Sequence, residues 1–180
     1  MPSVSTTAAL KDFFDHAVRD TFTDFTMADD GMVDYLAELL SRFACPEELS
    51  PPSATGTRLV TIADLQQEIQ RAWESDGALF DPARELDLSR HIGDLALFMR
   101  GFFWERVRCA AATRHYTRMG TRAYRFVAEY HRATASPLAS VFNALAQNFE
   151  TYANLLIYVR EIYVGADFAP RPPLFPRRPW

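Results

Sequence analysis

Two residues that could carry out chemistry lie three positions apart in the apolar stretch "HIGDLALFMRGFFWERV", residues 91–107. His91 and Asp94 are residue types that act as acids, bases or ligands, and a carboxyl group buried on such a helix would have a shifted pKa. One hypothesis is a small-ligand site, with or without catalysis, in which Tyr116 and Tyr124 converge on the same core. The structural alternative, which we favour, pairs Asp94 with Arg90 one turn earlier or with a tyrosine hydroxyl from the next helix.

The other reactive residues are not spaced as a metal or catalytic centre. Histidines occur only at positions 16, 91, 115 and 131, in neither a Glu-x-x-His nor a His-x-x-x-His spacing. The sequence has no glycine-rich phosphate loop, no Gly-x-Ser-x-Gly and no Cys/His pair. We therefore predict no cofactor, metal ligand or catalytic residue. A haem, a metal or a small ligand in the aromatic core remains the alternative.

A stripe of arginines is the clearest amphipathic pattern in the chain. Within residues 113–134, five arginines fall within about 80° of one another on a helical wheel, opposite an apolar face. They are Arg114, Arg118, Arg122, Arg125 and Arg132. The guanidinium fork suits phosphates, which suggests a nucleic acid or an anionic surface. The alternatives are an acidic protein surface, or a solvated face balanced by Glu129 and by acids of the first half.

The balance of charge differs between the two halves of the chain. Residues 1–90 contain 17 acidic and 7 basic residues, whereas residues 91–180 contain 6 acidic and 12 basic ones. Such asymmetry can indicate an anionic partner for the second half, or two halves that neutralise each other in one domain. The total charge of −4 and the absence of a helix-turn-helix spacing argue against nucleic acid.

The last 15 residues form a compositionally distinct tail, residues 166–180. The segment "DFAPRPPLFPRRPW" contains five prolines, three arginines and three aromatic residues, a composition that favours polyproline II. It is either disordered or docked on an acidic, apolar groove of this chain or of a partner. The candidate contact residues are Arg171, Phe175, Arg177, Arg178 and Trp180.

Prolines and capping residues divide the rest of the chain into helices. Asp29 or Asp30, Thr61, Asp81 and Ser136 are typical N-cap residues, and Pro82 and Pro137 suit a first turn. We predict six helices, with "RLVTI" at 58–62 as the only strand candidate. Their approximate ranges are 7–20, 30–44, 61–75, a fourth that starts at 82 and contains 91–107, 113–134, and 137–165. The prediction is an all-α, single-domain helical bundle over residues 1–165.

The fourth helix is apolar around most of its circumference, which predicts a central position among its neighbours. Gly93 and Gly101 each cost about 1 kcal/mol of helix propensity relative to alanine, so we expect another backbone to approach them closely.

This part of the sequence resembles a group of uncharacterised bacterial helical proteins. The resemblance covers about 35 residues and implies helices without implying any chemistry. Its pattern is Gly93-Asp94, Ala96-Leu97-Phe98, Gly101-Phe102-Phe103, Tyr116, Met119-Gly120 and Ala123-Tyr124.

The last predicted helix has large residues at alternating steps of four and three, a period of 3.5 residues. This period predicts near-parallel packing against a long helix, either in the same chain or across a dimer seam. The residues are Leu138, Phe142, Leu145, Phe149, Tyr152, Leu156, Val159 and Tyr163.

These observations favour a non-enzymatic protein-binding, scaffolding or regulatory module. We expect it to contact a protein partner or a second copy. The chain lacks a signal-peptide pattern and a long apolar run, so we expect a cytoplasmic protein without a membrane span.

Overall fold

The computed structural model describes residues 4–45, 48–74 and 81–165. Within these residues the fold is entirely helical, which confirms the predicted all-α class. There are eight α-helices rather than six, followed by one π-helical turn. The helices are α1 (Val4–Asp24), α2 (Asp30–Phe43), α3 (Ile62–Glu74), α4 (Pro82–Gly101), α5 (Trp104–Val107), α6 (Ala110–Ala133), α7 (Leu138–Gln147) and α8 (Phe149–Val159), and the π turn is Arg160–Val164.

Three helices begin at the capping residues that the sequence indicates. The carboxylates of Asp29 and Asp81 each accept a hydrogen bond from a backbone N–H of the following turn, at 3.0 and 2.9 Å. Thr61 Oγ1 accepts one from the backbone N–H of Asp64 at 3.1 Å. These side chains satisfy donors that the first turn of a helix leaves without partners.

Helix α4 lies in the middle of the molecule. It packs against α2, α3, α5, α6 and α8, and its residues from Leu88 to Gly101 are nearly all buried. One hydrophobic cluster includes residues from every α-helix. In it the rings of Phe98 and Phe102 stack with centroids 5.3 Å apart, and Phe43 meets Phe98 edge-on. The predicted central position of this helix is confirmed.

The fourth helix ends earlier than the sequence suggested. It stops at Gly101, and the chain turns through Phe102 and Phe103 before the four-residue α5. A Cβ atom added at Gly101 would lie 2.5 Å from Leu156 Cβ and 3.1 Å from the Ala153 carbonyl oxygen. The expected close approach of another backbone is therefore present at Gly101, where α8 crosses the end of α4.

The prediction of a single long last helix is wrong, because the helix is interrupted at Asn148, between α7 and α8. The Asn148 side-chain amide donates to the Ala144 carbonyl at 3.4 Å, and such local bonds compete with helical geometry. Only Leu138 and Tyr163 of the eight stripe residues escape full burial. The chain's own helices thus cover the surface that the dimer-seam hypothesis needed.

Two smaller expectations have different outcomes. Residues 58–62 form no strand, because Arg58 makes only an isolated bridge with Pro52 and Ile62 already begins α3. Gly165 ends the π turn with a φ of 70°, which agrees with its expected role as a C-terminal glycine. None of the described helices combines the length and apolarity that a membrane span requires.

Candidate functional site

The carboxylate of Asp94 lies in the core with no exposed surface. Its Oδ1 accepts hydrogen bonds from the Tyr35 hydroxyl at 2.6 Å and from the Tyr124 hydroxyl at 2.9 Å. Its Oδ2 accepts one from Arg42 Nη2 and lies 3.7 Å from Arg90 Nε. Both partners expected by the structural interpretation, Arg90 and a tyrosine, are present. We call these five residues the Asp94 network.

Burial and neighbouring charges shift the pKa values of three groups of the network, Tyr35, Tyr124 and Arg90. Burial, reinforced by the negative charge of Asp94, raises the pKa values of Tyr35 and Tyr124 well above their ordinary value, so both hydroxyls stay protonated. Burial opposes ionisation of Arg90, but the negative charges near it, including those of Asp94 and Glu38, outweigh burial and raise its pKa. Because Asp94 has no exposed surface and already accepts three hydrogen bonds, it orients its neighbours.

The network ties three helices together. Tyr35 and Arg42 come from α2, Arg90 and Asp94 from α4, and Tyr124 from α6. The Arg42 guanidinium also lies over the ring of the adjacent Phe43, with 5.2 Å to its centroid, and Arg90 lies 5.4 Å over Tyr35. Cation–π contacts of this kind add to the ion pairs in holding the guanidinium groups in place.

Gly93 provides the space for the Tyr124 ring. A Cβ atom at position 93 would lie 2.6 Å from Tyr124 Cε1 and 2.7 Å from its Cδ1. The expected approach of another backbone is therefore wrong at Gly93, because the neighbour is an aromatic side chain. A glycine here lets the tyrosine hydroxyl reach the carboxylate of the next residue, Asp94.

A pocket of about 460 Å³ opens beside the network, between the start of α4, the end of α2 and the loop at Pro51 and Pro52. Arg84 Nη2 donates to the Pro52 carbonyl at 2.9 Å and pairs with Glu68 Oε1 at 3.2 Å. We call this space the Asp94 pocket. Its charged and polar wall comprises Arg42, Arg84, Arg90, His91, Asp81, Asp87 and the fully buried Asp94.

His91 lines the same pocket as Asp94, but no hydrogen bond joins the two residues within the described chain. Its Nε2 lies 3.3 Å from the Leu49 carbonyl oxygen, and its ring meets Phe43 edge-on. Burial lowers its pKa, so the imidazole is neutral at pH 7. A neutral ring can donate to Leu49 through one nitrogen and accept from a ligand through the other.

Tyr116 does not belong to this site, contrary to the ligand-site hypothesis. It is half-buried on α6, where burial raises its pKa, and its nearest ring is that of His115 at 5.6 Å. Its hydroxyl forms no hydrogen bond with the described residues. Position 116 lies about two helical turns before Tyr124, too far along α6 for its side chain to reach Asp94.

The five arginines of the α6 stripe are all exposed, and we call their surface the arginine face. The guanidinium groups of Arg114, Arg118, Arg122 and Arg125 make no ion pair or hydrogen bond with any described residue, and Arg132 reaches only Asn143 Oδ1 at 3.4 Å. Acids of the first half instead pair with Arg19 at the α1–α2 surface. The described residues therefore show no direct ion pair between the stripe and acids of the first half, and the balance of the two halves over longer distances stays a prediction.

An apolar groove of about 370 Å³ runs beside the arginine face, between α3, α4 and α6. Trp73 on one wall is 59% exposed and Phe126 on the other is 39% exposed. The Trp73 indole N–H donates to Glu85 Oε1 at 3.1 Å, which orients the ring. Arg122 also lines this groove, so a single surface presents both positive charge and apolar area. We call it the α3–α6 groove.

The remaining predicted residues fall outside what the structure describes or form no site. Arg171, Phe175, Arg177, Arg178 and Trp180 lie beyond the described residues, so docking of the tail stays a prediction. Among residues 4–45, 48–74 and 81–165, no group of three His, Cys, Asp or Glu side chains could hold a metal ion.

Sequence reasoning missed the two α2 residues of the network, Tyr35 and Arg42, together with Arg84. Tyr35 and Arg42 lie 59 and 52 positions from Asp94. The only available signal was a tyrosine within the apolar stripe of an amphipathic helix, seven residues before an arginine. That pattern predicts a buried tyrosine hydroxyl but does not identify the group to which the hydroxyl donates a hydrogen bond.

Comparison of the chain with protein-family models, curated proteins and solved structures finds no match.

Proposed function

We propose that this protein is a non-enzymatic protein-binding module that docks an acidic segment of a partner on the arginine face and in the α3–α6 groove. One observation carries the proposal. Four exposed arginines that lack ion pairs within the described chain lie next to a groove whose walls include Trp73 and Phe126. Tryptophan and arginine are the residue types that most often supply binding energy at protein interfaces.

The arrangement of charge on α6 supports a partner of opposite charge. Arg114, Arg118 and Arg122 follow one another at intervals of four residues, and like charges at this spacing destabilise a helix by about 0.2–0.5 kcal/mol per pair. Glu129 is the only acidic residue of α6. Carboxylates of a bound segment would relieve this repulsion and would accept the guanidinium hydrogen bonds in bidentate geometry.

The groove favours a protein segment with at least one large apolar side chain. Its walls include Ile69, Met119 and Ala123 together with the two exposed aromatic rings. A phosphate backbone offers nothing to such a surface, whereas the apolar face of an amphipathic helix does. The chain's own residues 166–180 contain three arginines and one aspartate, so charge repulsion disfavours that segment as the occupant.

The test is site-specific photo-cross-linking in the native host, with a photoreactive phenylalanine analogue at Phe126. We expect a cross-linked protein whose attached peptide is acidic and contains an apolar anchor. Arg122→Glu should abolish the product, because it reverses the charge beside the probe. The matched controls are Lys11→Glu, which makes the same charge change on α1, and the same probe at Phe13, an exposed α1 phenylalanine.

The outcomes separate the alternatives. A product from position 126 that persists with Arg122→Glu, or that also forms from position 13, would overturn the proposal, as would the absence of any product. A cross-link to α1 or α2 of the same protein would make the occupant a second copy. A cross-link to nucleic acid would favour the alternative that the arginine stripe raised.

A further inference from the structure

The Asp94 pocket lies at a different surface from the arginine face. Its lining contains charged residues of both signs, and the basic residues are more buried than the two acidic residues at its mouth. Arg42, Arg84 and His91 are partly buried, whereas Asp81 and Asp87 are exposed. The positive and hydrogen-bonding groups therefore lie deeper than the two carboxylates. A ligand that matches this wall must carry an anionic group on one end and a positive group on the other.

The guanidinium groups have donors that the protein leaves without acceptors. Arg42 and Arg84 engage the described residues through Nη2 alone, although each guanidinium carries five N–H donors. The Nε atoms of Arg42 and Arg90 are buried without a hydrogen-bond partner in the described chain. Hydrogen bonds to charged donors are stabilising, so an acceptor that reaches an unmatched guanidinium N–H from the pocket would bring a free-energy gain.

Asp94 positions these donors and does not compete with a ligand. Its oxygens accept hydrogen bonds from Tyr35, Tyr124 and Arg42, Arg90 Nε lies 3.7 Å away as an ion-pair partner, and Asp94 has no exposed surface. It therefore fixes two guanidinium groups at the pocket wall before any ligand arrives. Preorganised arginines bind planar or tetrahedral oxyanions with little loss of side-chain entropy.

The mouth of the pocket provides the complementary negative charge. Asp87 forms no ion pair within the described residues, and one oxygen of Asp81 is used by the Ala83 backbone N–H at 2.9 Å. The remaining carboxylate oxygens face water and could hold an ammonium group. The volume of about 460 Å³ falls in the range of small-molecule sites, which is about 300–1,000 Å³.

We propose that the Asp94 pocket binds a small zwitterion, with its carboxylate or phosphate oxyanion on Arg42, Arg84 and Arg90 and its ammonium group at Asp81 and Asp87. This assigns a ligand site to a part of the molecule that the protein-binding surface does not use. The two surfaces lie on different sides of α4, so either can exist without the other.

The test is a titration of the full chain with three matched probes, followed by NMR of the backbone amides and of the arginine Nε–Hε groups. Aminoethylphosphonate carries both charges, ethylphosphonate lacks the ammonium group, and ethylamine lacks the oxyanion. We expect saturable shifts at Arg42 and Arg84 with the two phosphonates and none with ethylamine. Aminoethylphosphonate should bind about two- to fivefold more tightly than ethylphosphonate, the value of one exposed ion pair.

Two variants assign the two ends of the ligand. Arg84→Gln should weaken both phosphonates about tenfold, because it removes a charged donor. Asp87→Asn should remove the preference for aminoethylphosphonate and leave ethylphosphonate unaffected. Arg108→Gln is the matched control, since it neutralises an exposed arginine outside this pocket and should leave the affinity for both phosphonates unchanged. Asp87 is exposed and unpaired among the described residues, so we expect Asp87→Asn to fold. Its binding of the two phosphonates therefore tests the proposal even if Arg84→Gln unfolds.

Absence of saturable shifts at the pocket with either phosphonate would overturn the proposal. So would equal binding by Arg84→Gln and the parent chain, or binding of ethylamine as tight as that of aminoethylphosphonate. Equal affinity of the parent chain for both phosphonates would mean that the ammonium group contributes nothing to binding. The pocket would then be a simple anion site, which also contradicts the proposal.

Discussion

Arginines serve opposite purposes in two regions of this molecule. At the Asp94 network, Arg42 and Arg90 are partly buried and share one carboxylate. On α6, Arg118 and Arg122 are exposed and lack an ion pair within the described chain. Charges withdrawn from water need partners, whereas charges that remain hydrated do not. Stability therefore depends on the first region, while the second is free to make contacts with other molecules.

Asp94→Asn should cause the largest loss of stability. The amide keeps the shape of the side chain but removes the charge that both arginines share, which leaves the partly buried Arg42 without an ion pair within the described chain and Arg90 with only the exposed Glu38, 3.7 Å away. We expect the free energy of unfolding to fall by about 3–5 kcal/mol. Urea denaturation followed by circular dichroism measures it. Asp87→Asn, an exposed acid on the same helix, is the control and should change stability by less than about 0.5 kcal/mol. Similar effects for the two variants would contradict the proposed contrast.

Gly93→Ala tests the same buried region through its packing. The added methyl group would overlap the Tyr124 ring and push its hydroxyl away from Asp94. We expect a loss of about 1–3 kcal/mol, despite the better helix propensity of alanine. Gly31→Ala is the matched control, because a Cβ there would make only ordinary contacts at 3.5 and 3.6 Å. A neutral Gly93→Ala variant with an unshifted Tyr124 hydroxyl resonance would show that the ring has room to move.

The sequence allowed the local features of the fold to be predicted, but not the contacts between distant parts of the chain. Asp81 and Pro82 mark the start of α4, and the apolar circumference of this helix indicates its central position. Nothing near Asn148 distinguishes a helix break from a continuous amphipathic helix. The break depends on how α7 and α8 pack against their neighbours, which is a tertiary effect.

The candidate sites show the same division. The α6 arginines were identified from their spacing, because exposure on a helix follows from periodicity alone. The Asp94 network needed Tyr35 and Arg42, which come from another helix more than 50 positions away. The pocket beside it also depends on the loop at Pro51 and Pro52, for which the sequence indicated only turns.

A smaller effect should appear in the pH dependence of stability, through His91. Burial lowers the pKa of His91 in the folded protein, and the charge of Arg42 lowers it further against the opposing charges of Asp94 and Glu48. The unfolded chain therefore takes up the proton first as the pH falls below about 6.5. This histidine's contribution is complete above that pH and is lost on acidification.

Urea titrations between pH 7 and pH 5 check the effect of His91. The stability of the His91→Gln variant should depend less steeply on pH than that of the parent chain, while His16→Gln, at an exposed position, should match the parent. Both variants retain His131, whose pKa burial also lowers, so the difference isolates position 91. An unchanged slope in His91→Gln would mean that the imidazole is as easily protonated in the folded chain as in the unfolded one.

The smallest change in stability should come from substitutions on the arginine face. Arg118→Gln combined with Arg122→Gln removes two exposed charges that repel each other one helical turn apart, so the free energy of unfolding should change by less than about 0.5 kcal/mol and could rise. Arg42→Gln, the same substitution in the Asp94 network, should cost several times more because Asp94 keeps its charge in the core. The double variant should nevertheless lose the cross-link from position 126. Arginines of the Asp94 network would then matter for stability, and arginines of the arginine face for binding. A double variant with clearly reduced stability would show instead that the arginine face contributes to the fold.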